Sequence, residues 1–438
     1  MNRKRLFHVL FFSLFIALFS FAACKPDNKK GNVATVRLVS EPDKLNPLTT
    51  EDVNAILVTN HVFFPLLEFH PKTFELMPVL AKTRPTIIPV DTGLYKGSIA
   101  YTYEIREEAV WDNGSPVTAA DYVFTLKTIL NKKTGSGNMR SGLDFVKDVV
   151  VDVQNLKKFT LYSNKAYILS ETNSGTFPLI PEYIYDTEGV MRNYNLADLA
   201  KTIKDTTQKT DEKLAKFATT FQSVKYSREK EGIVGCGPYA FDEWVSGQSI
   251  SVKKKANWWG EKLAATSPFF QAYPDKIIFR PIKDATAAMS LVQNGELDAI
   301  SGITPKDYNT SLKDEKLVSQ YAFSTFPLLS LANLGFNCKD PKLTDKRTRR
   351  AIAHILDVDA VVKNIAGGFG EPSGSCFLPI RPYYDPSLKH IALNIEQAKT
   401  LLAEAGWKDS NGDGTVDKKI GGKTTELVLR FVFATANH

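Results

Sequence analysis

Cysteine is scarce in this chain: four residues in 438, at positions 24, 236, 338 and 376, with no C-x-x-C pair. That excludes a scaffold built on disulfides and a zinc-finger arrangement. Histidine is nearly as rare, with six residues at 8, 61, 70, 354, 390 and 438 that stand apart from one another. A metal site needs several ligands converging, so none is expected. The sequence has no G-x-S-x-G, no H-E-x-x-H, no Walker A loop and no G-x-G-x-x-G, hence no local signal for a nucleophile, a zinc-bound base or a nucleotide cradle. The glycine cluster Gly232-Ile-Val-Gly-Cys-Gly237-Pro lacks phosphate-loop spacing and leads into Tyr239-Ala-Phe241, the pattern of a tight turn before a strand. Excess charge is missing too. The formal net charge is +7, and Arg3, Lys4 and Arg5 supply three of those charges with no acid in residues 1–24. The +4 left without them is too dilute for an electrostatic nucleic-acid binder. Beyond residue 24 no apolar run approaches the ~20 residues of a membrane span.

What is present is the balance of a folded protein with a substantial core: 43% hydrophobic, 24% charged and 11% aromatic residues. The length allows about two to four domains. The opening residues give an address. Asn2-Arg-Lys-Arg5 is a positive start, Leu6–Phe21 an almost unbroken apolar run, and Ala22-Ala23-Cys24 closes it with small residues before a cysteine. This pattern is that of a secretory signal; processing is favoured over retention as an uncleaved anchor. Residues 1–23 are therefore assigned to the signal and 24–32 to a polar tether. An exported compartment permits a disulfide. Of Cys236, Cys338 and Cys376, the last two form the favoured pair because they share one half of the chain, and at least one thiol stays single.

Local patterns mark mixed α and β elements. Tyr101–Ile105 alternates as a half-buried strand. Asp112-Asn113-Gly114 is a tight turn, and Thr118 with Asp121 begins a helix carrying Tyr122, Val123, Leu126, Ile129 and Leu130 on one face. Asp284 caps a helix ended by Gly295, between the strand Lys276–Ile282 and the strand-like Leu297–Ile300. Thr344 or Asp345 opens a helix with Ala351, Ile352, Ile355 and Leu356 inward. Asn394 with Gln397 opens another, closed by Gly406. The charged stretch Asn193–Glu231 is expected as a helical surface excursion. Such a mixture indicates α/β lobes. Glu426–Phe433 is a nearly continuous apolar run that suits a strand covered on both faces. Only five residues follow it, too few for a crossover helix, so the chain reads as a C-terminally truncated fragment of a longer protein.

Three features bear on chemistry. Asp409-Ser-Asn411-Gly-Asp413-Gly414 matches the first half of a calcium loop, but position 12 is Ile420 and only Asp417 could substitute in part; a solvated turn is the better reading. Adjacent acids such as Glu107-Glu108 are expected by chance among 48 acidic residues. Trp111, Trp258 and Trp259 could stack on a sugar, although aromatics at strand ends more often close a core edge. No enzyme, cofactor or metal is indicated.

The segment Tyr101–Phe124, containing Glu104-Ile-Arg-Glu-Glu-Ala-Val-Trp-Asp-Asn-Gly-Ser-Pro-Val-Thr-Ala-Ala-Asp121, resembles the signature of the family 5 extracellular solute-binding proteins. Further stretches follow in family order: Asp43-Lys-Leu-Asn-Pro47, Phe74–Ala81, Val234-Gly-Cys-Gly-Pro-Tyr239, Ala256-Asn-Trp-Trp259, Val292–Asp298, Asp345–Leu356 and Ala398–Gly406. The departures are Cys236 for the usual Thr or Asn, and Ala256-Asn-Trp-Trp259 without its proline. The placement of Cys24 is similar to a bacterial lipoprotein signal, with Phe21 where Leu is usual; that similarity implies acylation of Cys24 and anchoring by its acyl chains.

This resemblance implies an α/β, periplasmic-binding-protein-like fold of the class II, cluster C type: two hinged lobes plus an extra domain inserted in lobe one. By position, lobe I falls at 33–60 and 170–282, the extra domain at 61–169, and an incomplete lobe II at 283–438. Function is implied in turn. The protein would be the substrate-binding lipoprotein of an ABC transporter, located in the periplasm or cell envelope. It would capture di- or oligopeptides in a cleft that closes by hinge rotation. The implied partners are the peptide, the permease subunits and, through Cys24, the membrane; the receptor would act as a monomer, bind no nucleic acid and alter nothing covalently. Alternatives are a receptor for an oligosaccharide or metal chelate, or a sensory lipoprotein on the same scaffold. Cleft residues carried over by position are Thr50, Glu51 and Asp52, then Asn138 and Arg140 from an extra-domain loop, and Phe323 and Phe326 from a strand segment.

Overall fold

A computed structural model describes residues 32–199, 211–326, 328–381 and 383–432. The expected signal, Cys24 and nearly all of the tether lie outside the described residues, and so does Phe433. The chain divides into two compact units, the first ending at Ser301 and the second starting at Gly302.

In the first unit the chain runs through β1 (Val33–Leu38), α1 (Val53–Thr59), β2 (Leu67–Phe69), β3 (Leu76–Pro78), β4 (Thr86–Pro89) and β5 (Ile99–Glu104). Then come α2 (Ala119–Leu130), α3 (Gly137–Ser141), β6 (Val146–Val151) and β7 (Lys158–Ser163). The unit continues with α4 (Glu212–Phe221), β8 (Tyr239–Val245), β9 (Ser249–Lys254), β10 (Lys276–Pro281) and α5 (Ala285–Gln293).

Two four-stranded sheets organise these elements. One has the order β1-β10-β9-β8, with β1 parallel to β10 and the other pairs antiparallel. Its alternation is legible on β10, where Ile277 and Phe279 are buried while Lys276, Ile278 and Arg280 are only half-buried. The other sheet, β4-β5-β7-β6, is antiparallel throughout. On it Tyr103 stacks near Phe159, and Tyr122 of α2 stacks on Phe159 at 4.3 Å between ring centroids. Both tyrosines are buried and both hydroxyls are satisfied by Ser174, through its Oγ at 2.8 Å and its carbonyl at 3.0 Å.

The expected α2 start forms as a capping box between Thr118 and Asp121. Asp284 caps α5, and Gly295 takes φ +73° behind it. The strand-like segment after α5 forms a single bridge, Ala299 to Val36, reinforced by Asp298 Oδ2 accepting from the Thr35 amide at 2.7 Å. That bridge and α5 both lie in the first unit, which ends at Ser301. The charged stretch 193–231 is more than a surface excursion: among its described residues α4 buries Leu214, Phe217, Ala218 and Phe221, because its apolar residues recur at helical spacing.

The turn before β8 ties the two sheets together. A side chain on Gly235 would meet the Val62 carbonyl oxygen at 2.2 Å, and one on Gly237 would meet the His61 and Val62 oxygens at 2.7 and 2.8 Å. Without Cβ atoms the backbones approach closely enough for Gly237 to donate to Val62 O at 2.8 Å and Tyr239 to His61 O at 3.1 Å. The Cys236 carbonyl accepts from both indoles, Trp258 at 2.9 Å and Trp259 at 2.8 Å. These rings pack with Phe64 and Phe270, closing a core edge. Lys255 donates to Gly235 O at 2.7 Å and pairs with Asp112 at 2.5 Å, reaching the Trp111–Gly114 turn beside the second sheet.

The second unit contains α6 (Pro305–Ser311), α7 (Lys346–Ile355), α8 (Ile395–Glu404) and the hairpin of β11 (Asp417–Ile420) with β12 (Lys423–Glu426). Asp345 and Asn394 cap α7 and α8 as expected. Three expectations need correction. Ala351 is buried, but Ile355 and Leu356 are exposed at 52% and 39%. Residues 427–432 are irregular and not a strand; β12 ends at Glu426, and Leu427 spends its amide on Val416 O. An apolar run becomes a strand only where a neighbour completes its ladder, and none does so among the described residues. Finally, Cys338 and Cys376 are both free and exposed, so the favoured disulfide is not formed.

His61 supplies a test of the first unit. Its ring lies edge-on to Tyr239 and tilted on Phe279, and burial pushes its pKa down from 6.5 to about 4. The folded state therefore keeps a neutral ring while the unfolded chain takes up a proton. Stability from this residue is fully present above pH 6.5 and is lost as pH falls toward 4, by about 3 kcal/mol. Urea unfolding of the wild type and His61→Gln at pH 7 and pH 4 is expected to show the wild type losing more stability by that amount. A pH-independent difference between them would refute the assignment.

Candidate functional site

Two loops of the first unit enclose a cavity of about 270 Å³ lined by Leu48, Thr49, Thr50, Glu51, Ile56, Gly135, Ser136, Asn138 and Met139. The first loop is built on Asn46, whose buried side chain donates to Phe221 O at 3.2 Å and accepts from the Leu48 amide at 3.1 Å. The Asn46 carbonyl also takes the amides of Thr49 and Thr50. Thr50 Oγ1 donates to Asp43 Oδ1 at 3.0 Å and accepts from the Asp52 amide at 3.2 Å. Asp52 then caps α1 by accepting from the Asn54 amide at 2.7 Å. Pinned at both ends, this loop presents Glu51 to solvent.

The second loop follows α2. Asn131 donates to Leu214 O at 3.2 Å, and Thr134 Oγ1 donates to the carbonyls of Thr128 and Asn131, each at 2.8 Å. Gly135 has φ +83°, and a Cβ there would sit 3.2 Å from Gln222 Oε1 and 3.8 Å from Thr49 Cγ2. The glycine thus lets the chain turn into α3 while the two loops meet.

Of the residues carried over by position, Thr50, Glu51 and Asn138 line the same cavity. Asp52 and Arg140 do not. Asp52 is engaged as a helix cap, and the Arg140 guanidinium turns back to donate to Asn131 O at 3.3 Å, with burial pushing its pKa down. Phe323 and Phe326 belong to the second unit. Phe323 packs edge-on against Tyr308 at 5.7 Å, Phe326 is 61% exposed, and the segment is not a strand. Sequence reasoning missed Leu48, Ile56 and Met139 as lining residues. The available signal was Thr134-Gly-Ser-Gly137, a turn-forming run behind a helix.

Among the described residues no three His, Cys, Asp or Glu side chains gather to hold a metal. In the half calcium loop Asp409 accepts the amides of Gly412 and Gly414, Asp413 accepts that of Thr415, and Asp417 accepts from Ser410. Those carboxylates shape a turn. Cys236 is buried and its thiol is pushed up to about 12 by burial, so it carries no thiolate nucleophile.

The architecture is that of periplasmic peptide-binding proteins. The solved structure of the oligopeptide-binding protein AppA from Bacillus subtilis, in complex with a nonapeptide, superposes with a TM-score of 0.57 at 24% identity, covering 90% of this chain and 67% of that one. A Thermotoga maritima periplasmic oligopeptide-binding protein solved with bound mannohexaose gives 0.60 at 20% identity over 89% and 65%. In sequence, the Bacillus subtilis AppA is 28% identical over 415 residues, 93% of this chain and 65% of the relative. The chain thus spans just under two thirds of that relative's length. Residues 95–437 match the family model of the bacterial extracellular solute-binding proteins, family 5 (middle region), and the chain belongs to that family.

Thr50→Val keeps the shape but removes both hydrogen bonds of the hydroxyl. It is expected to lower stability by about 1–2 kcal/mol in urea unfolding, whereas an unchanged midpoint would show that Thr50 does not pin the loop.

Proposed function

We propose that this protein is the solute-capture receptor of an ABC importer, that its solute is a peptide, and that it releases the peptide chemically unaltered. The family match over residues 95–437 carries the reading; the similarity to an oligopeptide-binding relative supports the choice of peptide. The cavity supports a binding role further, with Thr50, Glu51 and Asn138 as ligand contacts. Residues 61–169, which include the sheet β4-β5-β7-β6, form the extra domain of the receptor. The receptor works as a monomer in the cell envelope, delivering its ligand to permease subunits, and is held to the membrane through acylated Cys24.

Thermal unfolding of the intact protein tests the ligand. A ligand at about 100 times its Kd stabilises by roughly 2.7 kcal/mol, so a pool of tri- to pentapeptides is expected to raise Tm. Flat curves with peptides and a rise with oligosaccharides or nickel chelates would reassign the solute class. A rise with none of the three would count against solute capture.

The anchor has its own test. Cys24→Ser is expected to move the protein from the membrane fraction to the soluble fraction of the cells that export it. Retention of the variant in membranes would rule out the lipid anchor.

A further inference from the structure

The cavity between the two loops says more about the ligand than its class, given the peptide reading proposed above. Its volume of about 270 Å³ falls below the ~300–1,000 Å³ of sites that enclose a whole drug-sized solute. It is the size of a subsite for one side chain. Leu48, Ile56 and Met139 give it apolar walls, and Glu51 and Asn138 are exposed members of its lining.

The charges around it are unequal in their engagement. Asp43 is held by Thr50 Oγ1 at 3.0 Å and lies 3.5 Å from Lys44 Nζ. Asp52 caps α1. Glu51 takes part in no ion pair among the described residues, and the guanidinium of Arg140, on the second loop, is directed back to Asn131 O. One carboxylate is therefore left to meet a cation from outside, beside walls that accept a hydrocarbon stem. Among the described residues no three His, Cys, Asp or Glu side chains gather here to hold a metal ion. A long basic side chain matches both features, because lysine and arginine bury their methylene stems while the charged head stays near solvent.

We infer that this cavity is a subsite for a lysine or arginine side chain of the bound peptide, with the stem along Leu48, Ile56 and Met139 and the cationic head on Glu51. The Asn138 side chain, with its amide oxygen as acceptor, stands at the same lining as a second partner for the head.

The test uses the intact protein and calorimetric titration with pentaalanine peptides that carry one lysine at each position in turn. The same series is repeated with norleucine, which keeps the stem without the charge, and with glutamate. At one position lysine is expected to bind about 3–10-fold more tightly than norleucine, and glutamate more weakly than both, with the lysine advantage shrinking at 0.5 M salt. In Glu51→Gln the lysine-to-norleucine affinity ratio at that position is expected to fall close to one. Peptide binding with no lysine advantage at any position overturns the subsite but leaves peptide capture standing. So does an advantage that survives in Glu51→Gln. Failure of every peptide in the series to bind overturns the peptide reading and the subsite together.

Discussion

The close approach of the Gly235-Cys236-Gly237 turn to the backbone of His61 and Val62 is the constraint on which the first unit depends. Two main chains meet there at hydrogen-bonding distance, which no side chain larger than hydrogen at either glycine would allow. From that contact the structure fans out. Tyr239 starts β8, the Cys236 carbonyl fixes two indoles, and Lys255 carries the connection on to Asp112. The lysine is itself half sunk in the protein, and its partners are an oxygen of the turn and a carboxylate, so the ion pair is part of a network and not an isolated surface contact. The motif thus builds the scaffold of the first unit.

The elements that could be read from the sequence share a property: their signal is local. The Thr118–Asp121 capping box, Asp284 before α5, Asn394 before α8 and the glycines at 295 and 406 each act within a turn of their own position. What escaped depends on partners distant in the chain. Residues 427–432 have the composition of a buried strand, yet a strand is made by its neighbour's ladder. The Phe323–Phe326 segment fails for the same reason. Residues 212–221 looked like a solvated excursion because lysines dominate the stretch, while four apolar residues at helical spacing pack against the core.

The candidate site divides along the same line. Thr50, Glu51 and Asn138 could be named because family resemblance carries positions across, but nothing local marks Leu48, Ile56 or Met139 as their companions. Loops about ninety residues apart in sequence meet only because Asn46 reaches Phe221 O, Gln222 reaches Lys133 O at 2.7 Å, and Gly135 leaves room beside Thr49. Position could not separate the exposed Glu51 from its neighbour Asp52 either. The distinction is one of occupation: Asp52 is committed to the helix it begins, and Arg140 to the loop that precedes it.

Tryptophan placement gives the molecule a built-in optical asymmetry. Four of the five indoles lie in the first unit, and two of those share one carbonyl acceptor inside an aromatic cluster. Trp407 is the single indole of the second unit, buried at 3% exposure and donating to Thr348 Oγ1 at 2.9 Å. Intrinsic fluorescence is thus weighted toward the first unit, and light from Trp407 reports on the second unit alone once the other four emitters are replaced.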